Sequence, residues 1–178
     1  MQRLRSIVSL IDCLSGYLGR LAAIFAPVMV GVTCYVVFTR YVLNSGSVAV
    51  QELVIYANAI IFTVGAGYTL KQGGHVRVDI FYSGARPRTK ALVDLFGTLF
   101  LLIPTCVFIL WICWRYVGSA WAIREASPDT GGLPYIYLLK TMMLVLAGTL
   151  LLQGLAEVLR NVLRLLPGGA ATQEEAQH

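Results

Sequence analysis

The chain has 178 residues, of which 57% are hydrophobic and only 13% are charged, whereas a soluble domain has about 25% charged residues. So few polar side chains cannot cover the outside of a soluble globule, which predicts that the protein is dissolved in lipid. The formal net charge is +5, but the basic residues lie beside apolar stretches and form no separate basic domain, which argues against nucleic-acid binding.

The first predicted element is an amphipathic helix at the N-terminus. Its apolar residues recur at helical spacing, which predicts a helix lying on the inner surface of the membrane. They are Leu4, Ile7, Val8, Ile11, Leu14, Leu18 and Leu21, and the polar residues elsewhere on the wheel are Arg3, Arg5, Ser6, Ser9 and Asp12. A cleaved signal peptide is disfavoured. Such a peptide has a short apolar core followed by a cleavage site of small residues, whereas the apolar run here has the length of a full span and no convincing cleavage site follows a short core.

Four long runs without a charged residue come next in the chain. A bilayer core needs roughly 20 apolar residues in a helix, so these runs predict four transmembrane helices. The predicted spans are 21–40, 53–71, 92–115 and 134–157. The last one crosses only if positions 133–139 join it and Lys140 directs its ammonium group outward along its aliphatic stem. Pro104 predicts a kink in the third span.

The fourth predicted helix continues into the cytoplasm. Apolar and polar residues keep their helical spacing up to Leu166, and Pro167 with Gly168 and Gly169 predicts the end of the helix. The polar stretch 170–178 is predicted to be disordered. Residues 1–169 therefore form a single four-helix membrane domain in this prediction.

The distribution of Lys and Arg predicts that both chain termini are cytoplasmic. Most of the 14 basic residues lie in the N-terminal segment, the middle loop and the C-terminal segment, and cytoplasmic loops retain positive charge. The others are Arg40, Arg115, Arg124 and Lys140. Aromatic residues at the outer end of the third span and before the fourth are typical of interface anchors, with a ligand cage as the less favoured alternative.

The residue types that carry chemistry are absent from the predicted spans. A carrier of ions needs ionisable groups at depth, yet the main polar residues there are Asn58, Thr63, Thr105, Thr149 and Gln153, for which we favour hydrogen bonds between helices. Thr63 and Gly67 also predict close helix packing. No histidine pair, cysteine doublets or catalytic motif is present. We expect no enzyme activity, no metal and no cofactor.

Residues 40–81 resemble a known family of membrane proteins. Arg40 and Tyr41 close the first span, Glu52 opens the second, and the segment from His75 through Arg77 to Asp79 follows it. In these features the chain resembles the small membrane subunit of tripartite ATP-independent periplasmic (TRAP) transporters, the DctQ-like family. The resemblance covers roughly residues 12–165. The acidic position often appears in that family as a tandem pair preceded by tryptophan, and here it is Val50, Gln51 and Glu52.

The resemblance implies a function and partners. In such systems a periplasmic binding protein delivers an organic acid to a large membrane subunit, which moves it with a sodium gradient in the bacterial inner membrane. The small subunit widens the fixed scaffold of the large one and needs no ion site. We therefore expect contacts with the large subunit, with the binding protein near loops 44–51 and 125–134, and with membrane lipids.

The candidate interface residues have simpler interpretations beside these. Arg40 and Tyr41 serve equally well as an interfacial anchor, and Glu52 suits a cap on the second helix better than an ion pair with Arg40. Arg77 suits lipid head groups, and Asp79 suits a cap or a salt bridge. The remaining candidates for the subunit or lipid interface are Asn58 and His75.

Two other function classes remain open. One is an independent oligomeric carrier or channel that builds a pathway from Asn58, Thr63 and Gln153. The other is a membrane anchor for a redox or signalling complex. Transport by the purified chain alone would favour the first class, and the proteins that co-purify with it would identify the second.

Overall fold

The computed structural model describes residues 2–72 and 87–165, and every regular element in these ranges is helical. The elements are α1 (Gln2–Tyr41), α2 (Val48–Lys71), α3 (Pro87–Gly97), a π-helical segment (Thr98–Leu102), α4 (Ile103–Ala122) and α5 (Ile136–Leu165). Four stretches are long and apolar enough to cross a membrane: Val8–Tyr41, Val48–Lys71, Thr89–Ala122 and Ile136–Leu163. The predicted all-α fold with four long apolar helices is therefore confirmed.

The N-terminal helix differs from the prediction. No separate surface helix precedes the first span, because α1 is one continuous helix of 40 residues that includes Pro27. At 1.5 Å per residue its length is about 60 Å, roughly twice the thickness of a bilayer core. The reason for its continuity is packing: Asp12, Gly16 and Gly19, in its first half, contact side chains of α2 and α5.

Residues with a positive φ angle follow α1 and α4. Asn44 and Arg124 both have φ of 48°. After α1 the Thr39 carbonyl accepts the backbone N–H of Ser45 at 3.1 Å, and after α4 the Ala120 carbonyl accepts that of Glu125 at 3.0 Å. This bonding pattern reverses the chain and satisfies the last carbonyls of a helix. Both helices end sharply. Their ends lie on the same side of the molecule, opposite to the first and last described residues (positions 2 and 165), and this side is called the loop end.

The third long helical stretch contains a local irregularity next to Pro104. The π-helical segment occupies Thr98–Leu102, and Pro104 lies in the first turn of α4. A proline inside a helix removes one backbone hydrogen bond, and a π-helical turn is a common way to accommodate such a loss. Leu102 of this segment packs against Gly154 of α5, where a Cβ atom would lie 2.5 Å from the leucine Cδ2.

The helices form an open layer with α2 and α5 at its centre. Helix α2 packs against α1 and α5, and α5 packs against every other helix, including α1, α3 and α4. The contact between α2 and α5 is close, because a Cβ atom at Gly67 would lie 3.3 Å from Thr149 Cβ, and Thr149 Oγ1 donates to the Thr63 carbonyl at 3.3 Å. The predicted role of Thr63 and Gly67 in close packing is confirmed.

The core of this layer consists of small side chains. Within the described part of the chain, the buried apolar residues are alanines, Cys106, Cys113 and Val117. Large apolar side chains point outward along all four spans, as Ile24, Phe62, Phe108 and Leu152 illustrate. Such an inside-out distribution is stable only where lipid or another apolar protein surface covers the outside.

Helix α5 contains the end of the described chain. It continues past position 157 to Leu165, which agrees with the predicted extension of the last helix. Positions 166–178 lie outside the described residues, so the helix end at Pro167 and the disordered tail stay predictions.

The crossing of α1 and α2 yields a testable prediction. A Cβ atom at Gly19 would lie 2.5 Å from Cγ of Tyr68, whereas one at Gly31 would meet no atom within 4 Å. Gly19→Val should therefore destabilise the protein by about 2 kcal/mol through overpacking, and Gly31→Val on the same helix should be nearly neutral. Thermal unfolding of the purified chain in detergent measures both. Equal melting temperatures for the two variants would contradict the close approach of α1 and α2.

Candidate functional site

The strongest polar contacts at the loop end converge on Glu52. This residue lies in the second turn of α2 and is only 9% exposed. Its Oε2 accepts the backbone N–H of Leu133 at 2.6 Å, and its Oε1 accepts the hydroxyl of Ser127. Hydrogen bonds to a carboxylate are about twice as strong as neutral ones. The second helix is thereby joined to the loop between α4 and α5.

The loop that Glu52 binds is folded on itself. The backbone N–H of Ser127 donates to the Leu133 carbonyl at 3.1 Å, and the N–H of Asp129 donates to Ser127 Oγ at 3.2 Å. Gly131 has φ of 83°, which favours glycine, and a Cβ atom at Gly132 would lie 2.6 Å from Glu52 Oε1. These two glycines let the loop close around the carboxylate.

Neither of the two simpler interpretations of Glu52 is correct. The structure shows neither a cap on its own helix nor an ion pair with Arg40, because both carboxylate oxygens are bonded to the loop. The N-cap position of α2 is Ser47, without a side-chain hydrogen bond to the helix. The position of Glu52 explains this difference. The free backbone N–H groups of a helix lie in its first turn, and Glu52 lies in the second turn of α2.

A second contact at the loop end involves Lys140 of α5. Its ammonium group pairs with Glu125 at 2.5 Å and lies over the ring of Tyr116, 4.2 Å from the centroid. Nearby, Trp121 Nε1 donates to Thr141 Oγ1 at 2.9 Å. Lys140 thus directs its charge toward the loop, as the sequence predicted, and its positive charge is paired with a carboxylate of that loop.

A polar cluster joins α1 and α5 at the end of the molecule opposite to the loop end. Arg160 Nη2 donates to both carboxylate oxygens of Asp12 at 3.0 Å, and its Nη1 donates to Glu157 at 2.6 Å. Gln153, which is fully buried, donates to Asp12 at 3.1 Å and accepts the Ser15 hydroxyl at 2.9 Å. The two carboxylates and the arginine lie at the edge of the apolar layer, where pairing offsets their desolvation.

Lys71 adds a further contact to this polar cluster. Its ammonium group donates to the backbone carbonyl of Asp12 at 2.8 Å, and a Cβ atom at Gly16 would lie 3.4 Å from that nitrogen. The last turn of α2 is thereby joined to α1. Sequence reasoning missed this cluster, since it assigned Asp12 to the solvent-facing side of a surface helix. One signal was available in the sequence: Gln153 and Arg160 are two helical turns apart, so they form a polar face on α5.

Of the other predicted interface residues, the three that the structure describes are not brought together. Arg40 and Tyr41 are exposed at the end of α1, and Asn58 is exposed near the middle of α2. Arg40 takes part in no salt bridge among residues 2–72 and 87–165. His75, Arg77 and Asp79 lie outside the described residues, so their roles stay predictions.

The described side chains form no metal site. In the two described ranges, no three His, Cys, Asp or Glu residues are close enough together to hold an ion. The cysteines in these ranges are free thiols: Cys13 and Cys34 are exposed, and Cys106 and Cys113 are buried in α4.

A comparison with family models decides the family. The model for the DctQ component of tripartite ATP-independent periplasmic transporters matches residues 29–164. The chain belongs to the DctQ family. It is thus a small membrane component of a TRAP transporter, and the tripartite architecture implies a larger membrane subunit and a binding protein as its partners. No curated protein and no solved structure matched the chain.

Proposed function

We propose that this DctQ chain is the non-catalytic scaffold subunit of a sodium-coupled TRAP transporter for an organic acid. It anchors the larger membrane subunit in the bacterial inner membrane while that subunit moves the substrate. The observation that carries the proposal is the family match over residues 29–164, which includes the second, third and fourth apolar helices in full and the last part of the first. Substrate choice then belongs to the binding protein and the larger subunit.

The helical layer supports a scaffold role better than a transport role. Two hydroxyl groups in the middle of the layer donate to backbone carbonyls: Thr63 Oγ1 donates to Ala59, and Thr149 Oγ1 donates to Thr63. A substrate pathway requires polar groups that are free to replace a hydration shell. Such engaged groups hold helices together, which disfavours an independent carrier.

The loop end supports docking of the binding protein. Glu52 joins the N-terminal part of α2, which begins within segment 44–51, to loop 125–134, so the two segments form one connected surface. The pair between Lys140 and Glu125 holds the same loop to α5. A surface with this many internal bonds is preorganised, and preorganisation lowers the entropic cost of binding a partner.

This arrangement predicts the orientation of the chain, with the loop end in the periplasm and both termini in the cytoplasm. Cysteines introduced as Ser45→Cys and Thr130→Cys should react with a membrane-impermeant maleimide in intact spheroplasts, and Arg20→Cys should react only after lysis. The native cysteines are first replaced by alanine. Labelling of position 20 before lysis, with 45 and 130 protected, would contradict the orientation.

Co-purification tests the scaffold role. The tagged chain, extracted from its native membrane in mild detergent, should carry with it a larger polytopic membrane protein in a fixed stoichiometry. A redox or signalling protein as the stable partner would favour a membrane anchor instead. Recovery of the chain only as a homo-oligomer would favour the independent carrier and contradict the proposal.

A further inference from the structure

The outward face of α2 carries a regular row of residues, which we call the α2 seam. Successive members are separated alternately by four and three positions: Gln51, Ile55, Asn58, Phe62, Gly65 and Thr69. None of the six is buried, and Ile55 and Phe62 are 53% and 66% exposed. The buried residues of α2, such as Thr63 and Gly67, lie on the opposite face. The residues that the structure describes therefore leave the seam uncovered.

The spacing and length of the seam match those of a helix-packing surface. Spacings that alternate between four and three residues keep side chains on one line along a helix. This line is the contact surface of two helices that pack in a left-handed pair with a crossing angle of about 20°. From Gln51 to Thr69 the seam is about 27 Å long at 1.5 Å per residue, close to the thickness of a bilayer core. A second transmembrane helix would be in contact along the whole span.

Asn58 makes lipid an unfavourable neighbour for this face. It lies near the middle of α2 and is exposed, and its amide makes no hydrogen bond to any group in residues 2–72 and 87–165. Thr69, in contrast, returns its hydroxyl to the Gly65 carbonyl at 2.9 Å. Acyl chains offer no hydrogen-bond partner, and an unpaired amide in hydrocarbon is costly. A neighbouring protein helix with a polar group removes that cost.

Gly65 gives the seam a recess beside Phe62 and Thr69. A Cβ atom at Gly65 would meet nothing within 4 Å, whereas one at Gly67 would touch Thr149. Packing within the chain therefore explains Gly67 and leaves Gly65 without an internal role. Small residues at the surface of a transmembrane helix allow another helix to approach closely.

We propose that the α2 seam binds a transmembrane helix of the larger membrane subunit, with the Asn58 amide hydrogen-bonded to a polar group of that helix. This inference rests on the proposed function, which supplies the partner. Family membership places a larger membrane subunit beside the chain, and the seam combines the exposed apolar area, recess and unpaired amide that such a helix would cover.

Substitution of Asn58 tests the hydrogen bond. Asn58→Leu should weaken binding of the larger subunit roughly 3- to 20-fold, the range for one hydrogen bond between transmembrane helices. The matched control is Thr105→Leu, which removes an exposed polar side chain from α4 at a distance from the seam. It should leave binding unchanged. The Asn58→Leu chain alone should keep its melting temperature, because leucine suits an exposed face in lipid or detergent.

Photo-crosslinking tests the location independently of affinity. A benzoyl-phenylalanine in place of Phe62 should form a crosslink to the larger subunit in the assembled complex. Crosslinks only to lipid or to a second copy of the chain, together with wild-type binding by Asn58→Leu, would overturn the seam as the interface. If the wild-type complex still co-purifies in that case, the scaffold role stands and only this surface is wrong. If no larger subunit co-purifies at all, both proposals fail.

Discussion

Replacing Glu52 with leucine should release the loop between α4 and α5 and lower uptake by the assembled transporter at least about tenfold. The carboxylate accepts bonds from the Leu133 backbone and the Ser127 hydroxyl, and a leucine accepts neither. Each hydrogen bond to a charged group contributes about 1.5–3 kcal/mol, and a buried N–H left without a partner adds its desolvation cost. The loop surface proposed to receive the binding protein would then lose its fixed shape.

Two measurements test the role of Glu52. Hydrogen exchange at the Leu133 amide should accelerate in Glu52→Leu, and sodium-driven uptake in membrane vesicles should fall. Asp129→Asn is the control, since this exposed loop residue contributes only backbone groups to the described contacts. An unchanged exchange rate at Leu133 together with normal uptake would contradict the role assigned to Glu52.

Arg160→Met should lower the stability of the isolated chain by about 2–3 kcal/mol. Breaking a buried pair by removing one partner costs about 3–5 kcal/mol, and we expect less here because Arg160 and Asp12 retain 23% and 24% side-chain exposure. Both Asp12 and Glu157 would lose their cation in the apolar layer. Methionine preserves the length and most of the packing of the arginine stem.

A double-mutant cycle measures the coupling between Arg160 and Asp12. Thermal unfolding in detergent should show that Asp12→Asn with Arg160→Met is less harmful than the sum of the single changes, because neither charge is then left unpaired. Arg20→Met, at an exposed position of α1 without an ion pair among the described residues, should be close to neutral. Strictly additive effects at positions 12 and 160 would contradict the pair.

The parts of the fold that the sequence predicted correctly depend on local spacing. The four apolar stretches are visible as runs without charge, and Thr63 and Gly67 share a face because they are four residues apart. Lys140 was predicted to reach outward because its stem is long, and it does so toward Glu125 in the preceding loop. Each of these inferences required only neighbours within a few turns.

The contacts that the sequence did not predict join distant parts of the chain. Glu52 binds Ser127 and Leu133, which are more than 70 residues away in the chain. The residues next to Glu52 in the sequence suggested a cap on its own helix instead. Asp12 was assigned to a surface helix because a helical wheel cannot show that Arg160 lies across from it. The packing of α5 against every other helix is also a long-range property. Spacing within one helix can show that Gln153 and Arg160 share a face, but it does not show which residue of another helix faces them.

Reconstitution in liposomes tests the scaffold role most directly. Vesicles with the purified chain alone should accumulate no organic acid under a sodium gradient. Vesicles that also contain the larger subunit, with the loaded binding protein outside, should accumulate it, and omission of the chain should abolish or sharply reduce that uptake. Accumulation by the chain alone would contradict the account, because it would place a translocation pathway within these four helices.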